Sequence, residues 1–338
     1  MTMGTSAQPR VAAGERDVST PAVTPPANST PTATRADRPR RARSSRGGWL
    51  YLTPVIVVFV MWTYLPMLGS VLISFSDWHL GSGFRGWAGV ENYAALFRNG
   101  EIQASLVQTV VFAALMLPFA TIIPMVLAIL LWLRPGRAST VFQALLFLPV
   151  MLAPVSHAAA WQLMLNPLNG FLNTILEGFG LPGVNWLGDP FWAPIVVSAV
   201  TAARIVATNM LIFTSGLAGI DRKTLAAADI EGATTWEKIR FIVIPQLKGL
   251  TIVLGAMSLV LGGQWVFNNV SILTQGGPDG STNTIYFHIY QLGFEFLYTD
   301  RAAAASVLVL LIVFAVFALL QLLRAWSRAR IHREEKRP

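Results

Sequence analysis

Six long apolar stretches, at about 50–75, 105–133, 141–165, 193–220, 249–272 and 302–324, constrain this chain more than anything else in it. Each is long enough to supply the ~20 residues that cross a ~30 Å hydrocarbon layer. Lipid offers the backbone no hydrogen-bond partners, so each crossing has to be a helix. Composition agrees, since 54% of the 338 residues are hydrophobic and only 12% are charged, about half the charged share of a soluble domain. The expectation is an all-α integral membrane protein with six transmembrane helices between residues 49 and 324.

Charge sets the expected orientation. Eight of the 25 Lys and Arg precede residue 49 and six follow residue 323. An even number of spans puts both termini on one side. If that side is the cytoplasm, the inner segments hold 21 basic residues and the outer segments three, namely Arg85, Arg98 and Arg301. Discounting the long amino-terminal tail still leaves 13 against three, which satisfies the positive-inside rule. The net charge of +8 therefore suits an anionic membrane surface rather than a nucleic-acid groove. Residues 1–48, rich in Ala, Pro, Ser, Thr and Arg, are expected to be a disordered basic cytoplasmic tail, and 325–338 a second basic tail. The first apolar run is too long for a signal-peptide core and no small-residue cleavage site follows it. The chain has no cysteine, so disulfides, thiolate metal sites and cysteine nucleophiles are excluded.

The segment 221–248, between the fourth and fifth spans, reads as structured. Leu225 to Ile230 is a strong helix former. Gly232 permits a sharp turn. Thr234 and Glu237 have capping-box spacing for a second short helix, whose extension Pro245 limits. The pattern is helix, glycine, helix, facing the cytoplasm, and either presents a docking surface or lies on the membrane as an amphipathic connector.

Polar side chains inside spans are costly and so are functional candidates. Arg204 sits near the middle of the fourth span, with Asn209 five residues on; Gln264, Trp265, Asn268 and Asn269 cluster late in the fifth. A guanidinium can bind hydroxyls or a phosphate, amides can donate to and accept from sugar hydroxyls, and an indole can stack on a pyranose. These six are the candidate substrate-pathway residues. The competing roles are an arginine paired with another helix or a carbonyl, and amides bonded between helices. His157 suits an interhelical bond better than the path. Four scattered histidines show no metal-ligand spacing, and no catalytic constellation stands out.

The run LAAADIEGATTWEKIRFIVIP, Leu225 to Pro245, resembles the EAA loop of permeases from binding-protein-dependent ABC importers. Ala227, Ala228, Gly232 and Pro245 match that loop; Ala226 stands where the family usually has glutamate, and Glu231 where aspartate is common. Three further segments are similar to the carbohydrate branch, which includes the maltose-like and glycerol-3-phosphate-like permeases. They are Phe84–Tyr93 after the first span, Phe147-Leu148-Pro149 in the third, and Leu273–Pro278 after the fifth.

The resemblance implies the type I ABC importer permease fold in a bacterial cytoplasmic (inner) membrane. It implies half of a pore completed by a second permease subunit, two ATPase subunits that carry ATP and Mg, and an extracytoplasmic solute-binding protein. The solute would be a sugar or a glycerol-3-phosphate-like compound. Ala227, Ala228, Glu231, Gly232, Ala233 and Trp236 would couple to the ATPase, and the chain itself would bind no cofactor or metal and would not be an enzyme. It lacks any G-x-x-x-x-G-K-[ST] run, consistent with ATP hydrolysis on a partner. The rival is an ATPase-independent secondary transporter or channel; it would need no docking loop and often carries ion-coupling carboxylates, and no span interior here holds a clear Asp or Glu. A membrane-embedded enzyme is a third class, without a recognisable catalytic group.

Overall fold

The computed structural model describes residues 46–334. The expected amino-terminal tail lies outside this range apart from residues 46–48, which begin the first helix; of the expected carboxyl-terminal tail, 325–334 continue the last helix and 335–338 lie outside the described residues. By contact the chain divides into Met1–Ile56 and Val57–Pro338. The described residues form thirteen α-helices, three π-helical turns and one hairpin. Five helical runs are long and apolar enough to cross a membrane, and a sixth span is obtained when one bent helix pair is counted together.

The first span comprises α1 (Arg46–Phe59) and α2 (Leu65–Ser74), joined by a π-helical turn at Val60–Tyr64. That turn has a local cause. Pro66 lacks an N–H and its ring would clash with the carbonyl of Trp62, four residues back, so the helix widens there. The same pairing recurs where Pro245, near the start of α11 (Ile244–Leu273), follows a π turn at Ile239–Val243 that contains Phe241.

A hairpin follows the first span, β1 (Ser76–His79) with β2 (Gly83–Trp87), and then α3 (Glu91–Arg98). Buried Asn92 donates to the carbonyls of Ser74 at 3.0 Å and Ser76 at 2.8 Å, fixing the chain where it leaves the span. The second span is α4 (Glu101–Leu133) and the fourth is α8 (Trp192–Ala218). Between α8 and α11 lie two short helices, α9 (Arg222–Ile230) and α10 (Thr235–Lys238). After α11 come α12 (Ile285–Tyr290) and the last span, α13 (Thr299–Glu334).

The third span departs from the continuous helix expected at 141–165. It is α5 (Arg137–Met151) and α6 (Pro154–Met164), which meet at 104°. Proline disfavours helical geometry in the residue before it. Ala153, ahead of Pro154, is accordingly extended, and so is Leu152. The short helix α7 (Phe171–Gly178) packs in the following loop, where buried Asn173 accepts from Val184 N and Trp186 Nε1 and donates to the carbonyls of Pro167 and Val184.

Helices α4, α8 and α11 form the centre. One apolar cluster joins Phe112, Met116, Val197, Val200, Val266 and Val270 with Ala158 of α6. A second joins Ile129, Phe213, Leu217, Leu247 and Leu254. Lipid provides no hydrophobic drive for helices to associate, so close packing and internal hydrogen bonds must hold them. Gly216 supplies the first: a Cβ there would lie 2.7 Å from Leu250 Cδ2. Asn209 and Asn269 supply the second, as described below.

Candidate functional site

Arg204 lies where α8 crosses the break between α5 and α6. Leaving helical geometry strips the last carbonyls of α5 of intrahelical partners. Arg204 takes two of them, with Nη1 donating to Leu152 O at 2.8 Å and Nη2 to Val150 O at 3.3 Å. A cation at a helix carboxyl end is also favoured by the helix dipole. The guanidinium lies over the Trp265 ring, 4.2 Å from its centroid, and this cation–π contact ties α11 to the same point. Arg204 Nε is buried and has no hydrogen-bond partner.

Beside this group is a cavity of about 280 Å³, bounded by Val150, α8 and α11. Arg204, Thr208, Asn209, Ser258 and Trp265 put polar atoms or an aromatic face on its wall, and Ile205, Ile212, Met257 and Leu261 make much of the rest apolar. Its volume is close to the ~300 Å³ at which small-ligand pockets begin. A smaller cavity of about 100 Å³ shares Ser258 and continues to Thr109, Thr284 and Tyr286; Thr284 Oγ1 is buried without a partner.

The six pathway candidates separate. Arg204, Asn209 and Trp265 share the larger cavity. Asn209 is buried and committed, its Nδ2 donating to Ala120 O at 2.6 Å and to Ser258 Oγ at 2.9 Å, which links α8 to both α4 and α11. Asn269 is buried away from the cavity, donating to Thr201 Oγ1 at 2.8 Å. Gln264 is exposed and Asn268 half-buried, and neither lines the larger cavity. Sequence reasoning missed Ser258 and the carbonyls of Val150 and Leu152. Ser258 stands seven residues before Trp265, two helical turns and hence one face, which was available from spacing. Pro154 was the available signal for the freed carbonyls.

The 221–248 segment forms a helix pair with both joints braced. Asp221 caps α9, accepting from Lys223 N at 2.9 Å. α9 ends with Gly232 at φ 78°. There Gly232 N donates to Asp229 O and Ala233 N to Ala228 O, the double bond of a Schellman turn. Thr234 then opens α10. Its Oγ1 accepts from Glu237 N at 3.3 Å, while Glu237 Oε2 accepts from Thr234 N at 2.7 Å, a reciprocal capping box. Those bonds favour the charged carboxylate and hold the Glu237 carboxyl below its ordinary range. Lys238 pairs with Asp229 across the turn.

One face of α9, including Leu225 and Ala228, turns inward, and Leu225 packs on the second apolar cluster. The opposite face, Ala226, Ala227 and Ile230, is exposed, with Ile230 87% accessible. Glu231, Gly232 and Trp236 are exposed too, Trp236 at 63%, while Ala233 is half-buried.

No protein-family model matches the chain. Among curated proteins it is 30% identical over 286 residues to the lactose transport system permease LacF of Rhizobium radiobacter, spanning 83% of this chain and 94% of that protein. It is also 30% identical over 276 residues to the sn-glycerol-3-phosphate transport system permease UgpA of Pectobacterium atrosepticum, spanning 79% of this chain and 91% of that protein. A solved chain of a bacterial alginate ABC transporter, in complex with an alginate pentasaccharide-bound periplasmic protein, covers 80% of this chain and 91% of its own length with a TM-score of 0.68; at 22% identity this is a likeness of fold. A chain of five or six apolar spans, aligned nearly end to end with permeases of sugar and glycerol-phosphate transport systems, belongs to the permease subunits of carbohydrate-type ABC importers, which are transport subunits and not enzymes themselves.

Proposed function

We propose that this chain forms half of the translocation pore of an importer for a saccharide or a glycerol-phosphate-like solute, in a bacterial cytoplasmic membrane with both termini inside. A second permease completes the pore, a solute-binding protein delivers from outside, and two ATPases supply the work with their own ATP and Mg. The segment 225–245 is the docking site for one ATPase. The observation that carries this reading is the braced helix pair. Its joints are closed by the Schellman turn, the capping box and the Lys238–Asp229 pair, yet it presents Ile230 and Trp236 outward. An internally rigid element with an uncovered apolar face is suited to transmit force from a partner. Ala227, Ala228, Glu231, Gly232, Ala233 and Trp236 belong to this contact, with Ala228 and Ala233 setting its shape from beneath.

Arg204, Trp265 and the cavity they border are the proposed pathway, with Gln264 and Asn268 further along α11. The polar groups of Thr208 and Ser258 and the guanidinium and indole of Arg204 and Trp265 on the cavity wall support this. Asn209 and Asn269 shape the path from its supports.

Reconstitution tests the reading. Mild-detergent purification is expected to bring down an ATPase and a second permease. In proteoliposomes loaded with ATP, Gly232→Val is expected to leave insertion intact and cut solute uptake at least tenfold relative to ATP hydrolysis. Gly232 holds φ 78°. A Cβ in that left-handed region costs about 1–2 kcal/mol, and the joint distorts to relieve it. Uptake by this chain alone in liposomes would overturn the proposal in favour of an ATPase-independent carrier.

A further inference from the structure

At the end of the bundle away from the 221–248 segment, three side chains from opposite ends of the sequence converge. Asp77 and His79 lie on β1, and Asp300 lies in the first turn of α13. One donor atom from each lies within 4.8 Å of the others, and His79 Nε2 is 3.5 Å from Asp77 Oδ1. Two ligands of a single divalent ion, each at about 2.0–2.4 Å from it, stand at most about 4–5 Å apart, so this spacing is what one ion requires.

Charge gives a second, independent argument. Asp300 is only 5% exposed. Among the described residues no basic side chain forms an ion pair with it, and its one side-chain hydrogen bond comes from the neighbouring amide, Arg301 N, at 2.7 Å. The guanidinium of the next residue, Arg301, lies over the Tyr298 ring at 4.5 Å. Buried carboxylates are normally paired or bound to a cation. The cluster also holds a second carboxylate, Asp77, and the His79 imidazole. A divalent ion neutralises both carboxylates and accepts the neutral imidazole.

The scaffold is already held in place: Leu80 N donates to Leu297 O at 3.2 Å, and the His79 ring meets the Tyr298 ring edge-on at 5.3 Å. We propose that Asp77, His79 and Asp300 form a divalent-cation site that ties the hairpin after the first span to the start of the last. One imidazole with two carboxylates suits a borderline ion such as Zn²⁺ or Mn²⁺, where an all-oxygen set would suit Ca²⁺ or Mg²⁺. The ion clips the two outer spans together at one end.

The test uses the full chain, purified without a histidine tag, stripped with EDTA and titrated with Zn²⁺ or Mn²⁺ alone. One equivalent is expected to bind and to raise the unfolding temperature by several degrees, since an ion bound only by the folded state adds its binding free energy to stability. His79→Gln is expected to weaken binding at least tenfold and to abolish the shift. Asp77→Asn, a change at a half-exposed position, does the same without disturbing the buried Asp300. Mg²⁺ is expected to produce no comparable shift. The proposal is overturned if Zn²⁺ and Mn²⁺ leave the unfolding temperature unchanged. It is equally overturned if both variants bind as tightly as the native chain.

Discussion

Arg204 makes two sets of contacts that spacing alone does not give. Its Nη atoms donate to the carbonyls of Val150 and Leu152 at the α5–α6 break, while the residue also lines the cavity together with Trp265, over whose ring its guanidinium lies. A lysine at this position keeps the charge but offers a point donor in place of a planar fork, and it cannot serve two carbonyls and an aromatic face at once. Arg204→Ala is expected to lower solute uptake at least tenfold, and Arg204→Lys by less, while the assembled complex elutes unchanged on size exclusion. Loss of assembly in parallel with uptake would leave only the structural role. Asn209 and Asn269 donate to neighbouring helices, and of the two only Asn209 also lines the larger cavity.

Among the elements, the 221–248 pair is the one most fully determined by local rules. Glycine at a positive φ, a threonine three residues ahead of a glutamate and an alanine-rich first helix are each recognisable in the sequence, and each appears as the corresponding turn, cap or helix. Its pH response follows from Glu237. Hydrogen bonds from the Thr234 amide and hydroxyl lower the carboxyl from its ordinary 4.5. The stabilisation is therefore complete above that value and is lost as pH falls through the lowered one. The protection of amides 234–238 against exchange, taken relative to the unfolded chain at the same pH, is expected to fall on acidification below 4.5. Glu237→Gln, which preserves the capping geometry, is expected to flatten that profile; an unchanged profile in this variant would assign the acid response elsewhere. The α5–α6 pair shows the limit of element-level reasoning. Apolar length read it as one helix, but a single proline at 154 turns it through 104°.

At the scale of the whole molecule, α8 and α11 approach each other closely. Gly216 is the contact point, where a Cβ would meet Leu250 Cδ2 at 2.7 Å and Leu247 Cδ2 at 3.2 Å. Gly216→Leu is expected to destabilise by about 1–3 kcal/mol through overpacking, read as a lower unfolding temperature in detergent. Gly249→Ala serves as the control, because nothing lies within 4 Å of a Cβ there. Its effect is expected to stay within about 0.5 kcal/mol. Equal losses in the two variants would show that glycine content, and not the crossing point, sets the response.

The membrane class, the number of apolar spans and the helix pair with its glycine joint were determined by the chain itself. Each depends on interactions within about twenty consecutive residues: the length of an apolar run, the φ a glycine allows, the reach of a cap. The cavity, the partners of Arg204 and the Asp77–His79–Asp300 cluster were decided only by tertiary structure. They join residues 52 to 223 positions apart, and no local pattern carries that distance. Even the amides that looked alike in the fifth span received different fates, because helix rotation against α8 buried Asn269 on Thr201 and left Gln264 exposed. In lipid every polar atom in a span is costly unless partnered; the sequence names the atoms that carry this cost, and packing selects the partner.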